Sequence, residues 1–252
     1  MTTTHAQRIS RATPPPSGRK PKLNIAPRQI HGLLKQLEKY HKIFVSWFHR
    51  PEQRHWALKY MQGQMLDIER KSIEPMARAL DDGDVQAMQQ FTSASPWDDA
   101  AILRVHQREV ATTLGEADGV LIVDGCDFPK QGQNSVGVAR QHCGALGKTA
   151  NCQASVFLGY ASERGHTLLD RRLYMPEPWF RPEYAARRQE CGVPGELAFQ
   201  TKNELSWSML EPVLDEAIVP YQWIAMDEAF GRDTALLNKI EQKKKSYFAE
   251  IP

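Results

Sequence analysis

Between residues 30 and 48, Ile30, Leu33, Leu34, Leu37, Tyr40, His41, Phe44 and Phe48 recur at spacings of three and four. That is the period of one helix face, and Pro51 ends the run. From Glu52 the pattern resumes through Trp56, Tyr60, Met65 and Ile68. Ser95-Pro96-Trp97-Asp98 then reads as a helix start, with a capping serine, a proline at the first helical position and an acid at the third. The helix it opens carries Ile102, Val105 and Leu114, and Gly115 is a natural stop. Residues 28–115 are therefore expected to be mainly α-helical, with the Met and aromatic stripes serving as core.

From residue 118 the period changes. Gly119-Val120-Leu121-Ile122-Val123 is a short β-branched apolar run that reads as a buried strand stopping at Asp124. A Gly-, Lys- and Gln-rich loop follows. Ala154 to Tyr160 and Thr167 to Tyr174, separated by the turn residues Glu163-Arg164-Gly165, read as a hairpin. A Pro- and Arg-rich connection over 176–195 holds one short helical stretch near Tyr184 to Gln189. Lys202 to Ala217 fits a helix through Leu205, Met209 and Val213, with Pro212 as a kink. Tyr221 to Met226 is a fourth strand ending at Asp227, Leu236, Leu237 and Ile240 mark a helix, and Tyr247 to Ile251 begins a fifth strand. The order strand, strand, strand, helix, strand, helix, strand predicts an α/β protein with a mixed sheet, antiparallel in its first half and parallel in its second. A last strand with no cover leads to the expectation that the sequence is the front part of a longer chain.

Composition adds bounds. The 252 residues are 41% hydrophobic and 25% charged, an ordinary globular mix. No apolar run approaches the length of a transmembrane helix, and the first thirty residues show no secretory apolar stretch. Cys126, Cys143, Cys152 and Cys191 make neither a disulfide framework nor a CxxC zinc pattern, so a reducing cytoplasm is expected. The net charge of +2 is unevenly spread: residues 1–30 hold six basic groups and no acid, including the stretch around Pro14 to Pro16. Such an arm, residues 1–27, is expected to be disordered, either lying on phosphates or simply solvated.

Asp124 and Asp227 occupy matching places, each one step past a buried strand. The carboxyl ends of strands in an α/β sheet are where sites form. On parallel neighbours the two carboxylates would share a cation, and Mg²⁺ is the hard ion such oxygens suit. Two ions roughly 4 Å apart serve phosphodiester cleavage. Aspartate is also a common strand-ending turn residue, and Asp127 and Glu228 stand close enough in sequence to substitute. The loop from Lys130 to Gln141 offers Lys130, Ser135, Arg140 and free backbone N–H groups to phosphates, or is a solvated hairpin loop. Lys148, Arg171 and Arg172 are further candidate backbone contacts.

Val123-Asp124-Gly125-Cys126-Asp127-Phe128-Pro129-Lys130-Gln131-Gly132, followed by Ser135-Val136-Gly137-Val138-Ala139-Arg140-Gln141 and Cys143-Gly144, resembles the first catalytic block of bacterial insertion-sequence transposases of the DDE superfamily endonuclease group. Asn151-Cys152-Gln153 and Asp227 to Asp233 extend the likeness, and Trp56 to Tyr60 with Arg70 to Pro75 look like the family's helical N-terminal region. The resemblance implies a ribonuclease-H-like five-stranded core over 116–252, incomplete at its C-terminal end, and a helical DNA-binding region over 28–115. It implies Asp124 and Asp227 as the first two metal-binding acids, holding two Mg²⁺ or Mn²⁺ ions for cleavage and strand transfer at element ends. It further implies Lys130 and Arg140 on the DNA backbone, transposon-end and target DNA as partners, a homo-oligomer in the complete enzyme, and a bacterial, nucleoid-associated location without membrane contact. The family's third acid is a Glu on a helix beyond the fifth strand, which the sequence does not reach. The chain is thus expected to be a truncated transposase, inactive alone, or else a DNA-binding module that competes for element ends.

Overall fold

The computed structural model describes residues 27–250, so the basic arm falls outside the described residues. The described residues form two compact units, one of 27–45 together with 50–95, the other of 46–49 together with 96–250. The first holds α1 (Pro27–Phe44), α2 (Pro51–Met65), α3 (Ile73–Ala79) and α4 (Val85–Ser93). Pro51 both stops the first run and opens α2, because a missing N–H costs nothing at a first helical position. Met76, Ala77 and Met88 are buried among Trp56, Tyr60, Ile68 and Ile73. Met65, which the spacing places in that stripe, is 55% exposed instead, since α2 ends there and the phase of the pattern is lost.

In the second unit α5 (Asp99–Thr113) starts from Asp98, not Ser95: the Asp98 carboxylate accepts from the Ala101 N–H at 2.9 Å. Gln107 of α5 donates to the Leu169 carbonyl at 3.2 Å. The strands are β1 (Val120–Pro129), β2 (Ala139–Cys143), β3 (Lys148–Ser162) and β4 (Gly165–Tyr174). After α6 (Ala185–Glu190) and α7 (Lys202–Asp215) come β5 (Trp223–Met226), α8 (Glu228–Gly231), α9 (Thr234–Gln242) and β6 (Ser246–Ala249). The mixed α/β class and the helical N-terminal region are as expected, and the sheet suits a ribonuclease-H-like core.

Two expectations are corrected. The sheet has six strands, in the order β2-β3-β1-β5-β6 with β4 also on β3, because part of the presumed loop forms β2. Gly147, at φ +61°, closes the turn that folds β2 onto β3, and the polar run Arg140-Gln141-His142 of β2 carries no apolar alternation to betray it. The second correction concerns β1, which runs through Asp124 to Pro129 rather than stopping there. All ten of its residues pair antiparallel with β3, whereas only Val120 to Val123 pair, in parallel, with β5.

One sheet face packs on α7. Leu121, Val123, Val156, Leu158, Tyr160, Ile224 and Met226 meet Leu205, Met209, Leu210 and Val213. Each such buried side chain contributes about 1.5–3 kcal/mol. That burial carries α7 three residues past Pro212 despite the missing hydrogen bond. On the other face Ile122, Phe128, Leu168 and Phe248 are exposed.

Asp233 joins α9 to α7: its Oδ1 accepts from Leu236 N–H at 2.9 Å and its Oδ2 from Asn203 Nδ2 at 2.5 Å. The Leu236 N–H holds its carboxyl below the usual range, helped by Asn203. A depressed carboxyl stabilises the fold above the ordinary carboxylate pKa and stops doing so as pH falls through its folded value. Asp233→Ala should therefore lower unfolding free energy by about 1–2 kcal/mol at pH 7. Urea titrations should show that deficit shrinking below about pH 4.

Candidate active site

Strand alternation decides which acids face out. On β1, Leu121 and Val123 are buried against α7, so Ile122, Asp124, Cys126 and Phe128 stand on the opposite, open face. On β5, Ile224 and Met226 are buried, and Asp227 follows Met226 in extended backbone, φ −76° and ψ 179°. Val123 and Met226 are the last parallel pair. Asp124 and Asp227 thus leave the same rim, on the same face, from strands about 4.8 Å apart. Both are exposed.

Each carboxylate is held by one oxygen. Asp124 Oδ1 accepts from the Gly125 N–H at 2.7 Å. Asp227 Oδ1 accepts from the N–H groups of Ala229 and Phe230 at 3.0 and 3.4 Å, capping α8. The Oδ2 atoms accept no protein hydrogen bond among the described residues. Two anchored carboxylates with a free oxygen each are a donor set that fits a hard divalent ion retaining waters and binding substrate phosphate. Among the described residues no third His, Cys, Asp or Glu completes a metal-holding group.

The two neighbouring acids are otherwise engaged. Asp127 is three residues from Asp124 and faces the α7 side. Its Oδ2 accepts from the Gly144 N–H at 2.6 Å, and its Oδ1 lies 3.8 Å from Lys202 Nζ at the start of α7. Glu228 pairs with Arg232 at 3.3 Å.

The six candidate phosphate contacts do not form one cluster. Beyond Asp124, β1 and β3 continue as a ribbon extended by β2. Lys130 lies six residues on, about 20 Å along it. Alternation places Lys130 on Asp124's face, and with it Arg140, which pairs with Asn151. Lys148 pairs with buried Cys143 and so belongs to the other face. Ser135 sits in a loop that is tied down rather than free: Val136 O accepts from Gln153 Nε2 at 2.5 Å, Gly132 O from Asn151 Nδ2 at 2.8 Å and Val138 O from buried Trp179 Nε1 at 2.8 Å. Arg171 shares a row with Asp124 through Phe157, two strands away, with its guanidinium 2.5 Å from Asp99 at the start of α5 and 3.6 Å from Asp170. Arg172 points to the opposite face and pairs with buried Asp170 at 2.6 Å.

Sequence reasoning missed Phe128, Phe157, His166 and Leu168, which with Asp124 line a hollow of about 480 Å³ on the open face. The spacing 124, 126, 128, 130 carries the signal, but a strand taken to end at Asp124 hides it.

A family model described as DDE superfamily endonuclease matches residues 44–252. The chain is also 29% identical over 129 residues to the probable transposase for insertion sequence element IS701 of Microchaete diplosiphon. The match covers 50% of this chain, and it spans about a third, 33%, of the length of that curated relative.

The two aspartates of β1 should separate in a stability assay. Asp124→Ala should leave the urea-unfolding free energy within about 0.5 kcal/mol, since its only bond is to the next residue. Asp127→Ala removes the acceptor of Gly144 and the partner of Lys202, and should cost about 1–2 kcal/mol.

Proposed function

We propose that this chain, which belongs to the DDE superfamily endonucleases, works as an insertion-sequence transposase, cutting and joining DNA at the ends of its element with divalent metal ions. The observation that carries the reading is the placement of Asp124 and Asp227 on one rim and one face of adjacent parallel strands. The similarity to the IS701 transposase supports the same choice of substrate.

Asp124 and Asp227 are the metal-holding acids, two of the three that the family resemblance implies. Their Oδ1 atoms are occupied by backbone N–H groups, which fixes each carboxylate plane and presents the second oxygen outward without further side-chain ordering. Mg²⁺ or Mn²⁺ bound there would supply an activated water or 3′-hydroxyl and charge stabilisation for the leaving oxygen. Lys130 and Arg140, on the face of these acids, hold the DNA backbone along the ribbon. Arg171, in the same row as Asp124, joins them once DNA phosphate replaces Asp99 and Asp170 as its partners. Lys148 and Arg172 point to the other face and are assigned no role in the cut. Joining two ends calls for more than one subunit.

Calorimetric titration with Mn²⁺ should give binding that Asp124→Asn and Asp227→Asn each remove. Nicking of a supercoiled plasmid carrying the element ends should fall by about 100-fold or more in both variants, the several kcal/mol expected of lost metal stabilisation. Unchanged metal binding and unchanged nicking would withdraw both residues from the site. Salt-sensitive DNA binding with no nicking by the unaltered chain would instead mark the second reading, a module that competes for element ends.

A further inference from the structure

Resting on the DNA reading above, we infer that the hollow beside Asp124 is a nucleobase site, in which Phe128 stacks on a base unpaired next to the scissile phosphate. The hollow, about 480 Å³, falls within the range of small-ligand pockets, and Asp124 lines the same wall as Phe128 and Phe157. Phe128, the last residue but one of β1, is 41% exposed although it is paired with Gln153 of β3. It sits on the open face four residues past Asp124 and two before Lys130.

One occupant accounts for this arrangement. A single nucleotide strand has an apolar π-face and an anionic backbone, and sites for it combine aromatic platforms with cations that follow the phosphates. Here the aromatic ring lies between Asp124 and the cations Lys130 and Arg140, on one face of one ribbon. A duplex end drawn across that face meets cations along the ribbon and a flat ring just before the acids. A base leaving its stack there is received by Phe128 and the apolar floor of Ile122 and Leu168. Unpairing at this point would expose the strand to be cut.

The test measures fluorescence anisotropy of labelled DNA of about 16 nucleotides, the upper span of a single-strand binding module. One probe is a single strand of thymidylate and the other the same strand annealed to its complement. Phe128→Ala should weaken the single strand about tenfold and the duplex less than twofold, and Phe128→Trp should restore single-strand binding. Lys130→Ala and Arg140→Ala should weaken both probes and lower the salt slope by about one each. Equal single-strand affinity for Phe128→Ala and the unaltered chain, with salt-dependent binding intact, overturns this inference alone and assigns the hollow to another occupant, such as a second copy of the chain. Binding of neither probe by the unaltered chain overturns it together with the DNA reading. Because Phe128 lies outside the core packed on α7, its variants should melt within about five degrees of the parent, and a folded variant that has lost single-strand binding shows that lost binding is not lost folding.

Discussion

The pairing of β1 with β5 is the constraint on which the rest depends. Four residue pairs, from Val120–Trp223 to Val123–Met226, set the register, and burial of Leu121, Val123, Ile224 and Met226 against α7 sets the face. A slip of one residue on either strand would turn its buried side chains outward and its acid inward, at a cost of several kcal/mol. The hydrophobic core therefore specifies the placement of the two acids: Asp124 and Asp227 face together because their apolar predecessors must be buried together.

Charge is arranged around that plan by the same alternation. Acids on the α7 side are used for structure. Asp127 ties the turn after β2 to the start of α7, and buried Asp170 accepts from the backbone N–H of Arg171 and from the Arg172 side chain. On the open face the carboxylates keep an oxygen free, and Lys130 and Arg140 have no acidic partner within ion-pair distance among the described residues. Arg171 is intermediate, on the open face yet paired with exposed Asp99 at 2.5 Å and more distantly, at 3.6 Å, with buried Asp170. Exposed pairs of that kind are worth at most about 1 kcal/mol, so a phosphate can compete for the guanidinium at little cost.

The ribbon beyond Asp124 gives the open face its reach. β1 leaves β5 at Asp124 but keeps its partner β3 for six more residues, and the turn at Gly147 adds β2 alongside. An antiparallel pair satisfies its own backbone hydrogen bonds, so it can extend past the sheet without a helix to cover it. The loop from Gln131 to Val138 is fixed to this ribbon by Gln153 and Asn151 and to the connection after β4 by Trp179.

Helical periodicity, the switch to apolar β-branched runs and the two acids after matching runs were legible in the order of residues alone, because each rests on local spacing. The α/β class, the helical first region and the pair Asp124–Asp227 follow from that. Four features were not legible. The length of β1 depends on partners that begin more than twenty residues away, and polar β2 carries no apolar alternation. Which cations stand with the acids depends on strand parity: adjacent Arg171 and Arg172 are equivalent in sequence, yet a pleated strand starts them on opposite faces, although both reach Asp170. Asp124 and Asp127 likewise look interchangeable as written, and only packing against α7 separates the acid facing the open surface from the acid holding the fold together.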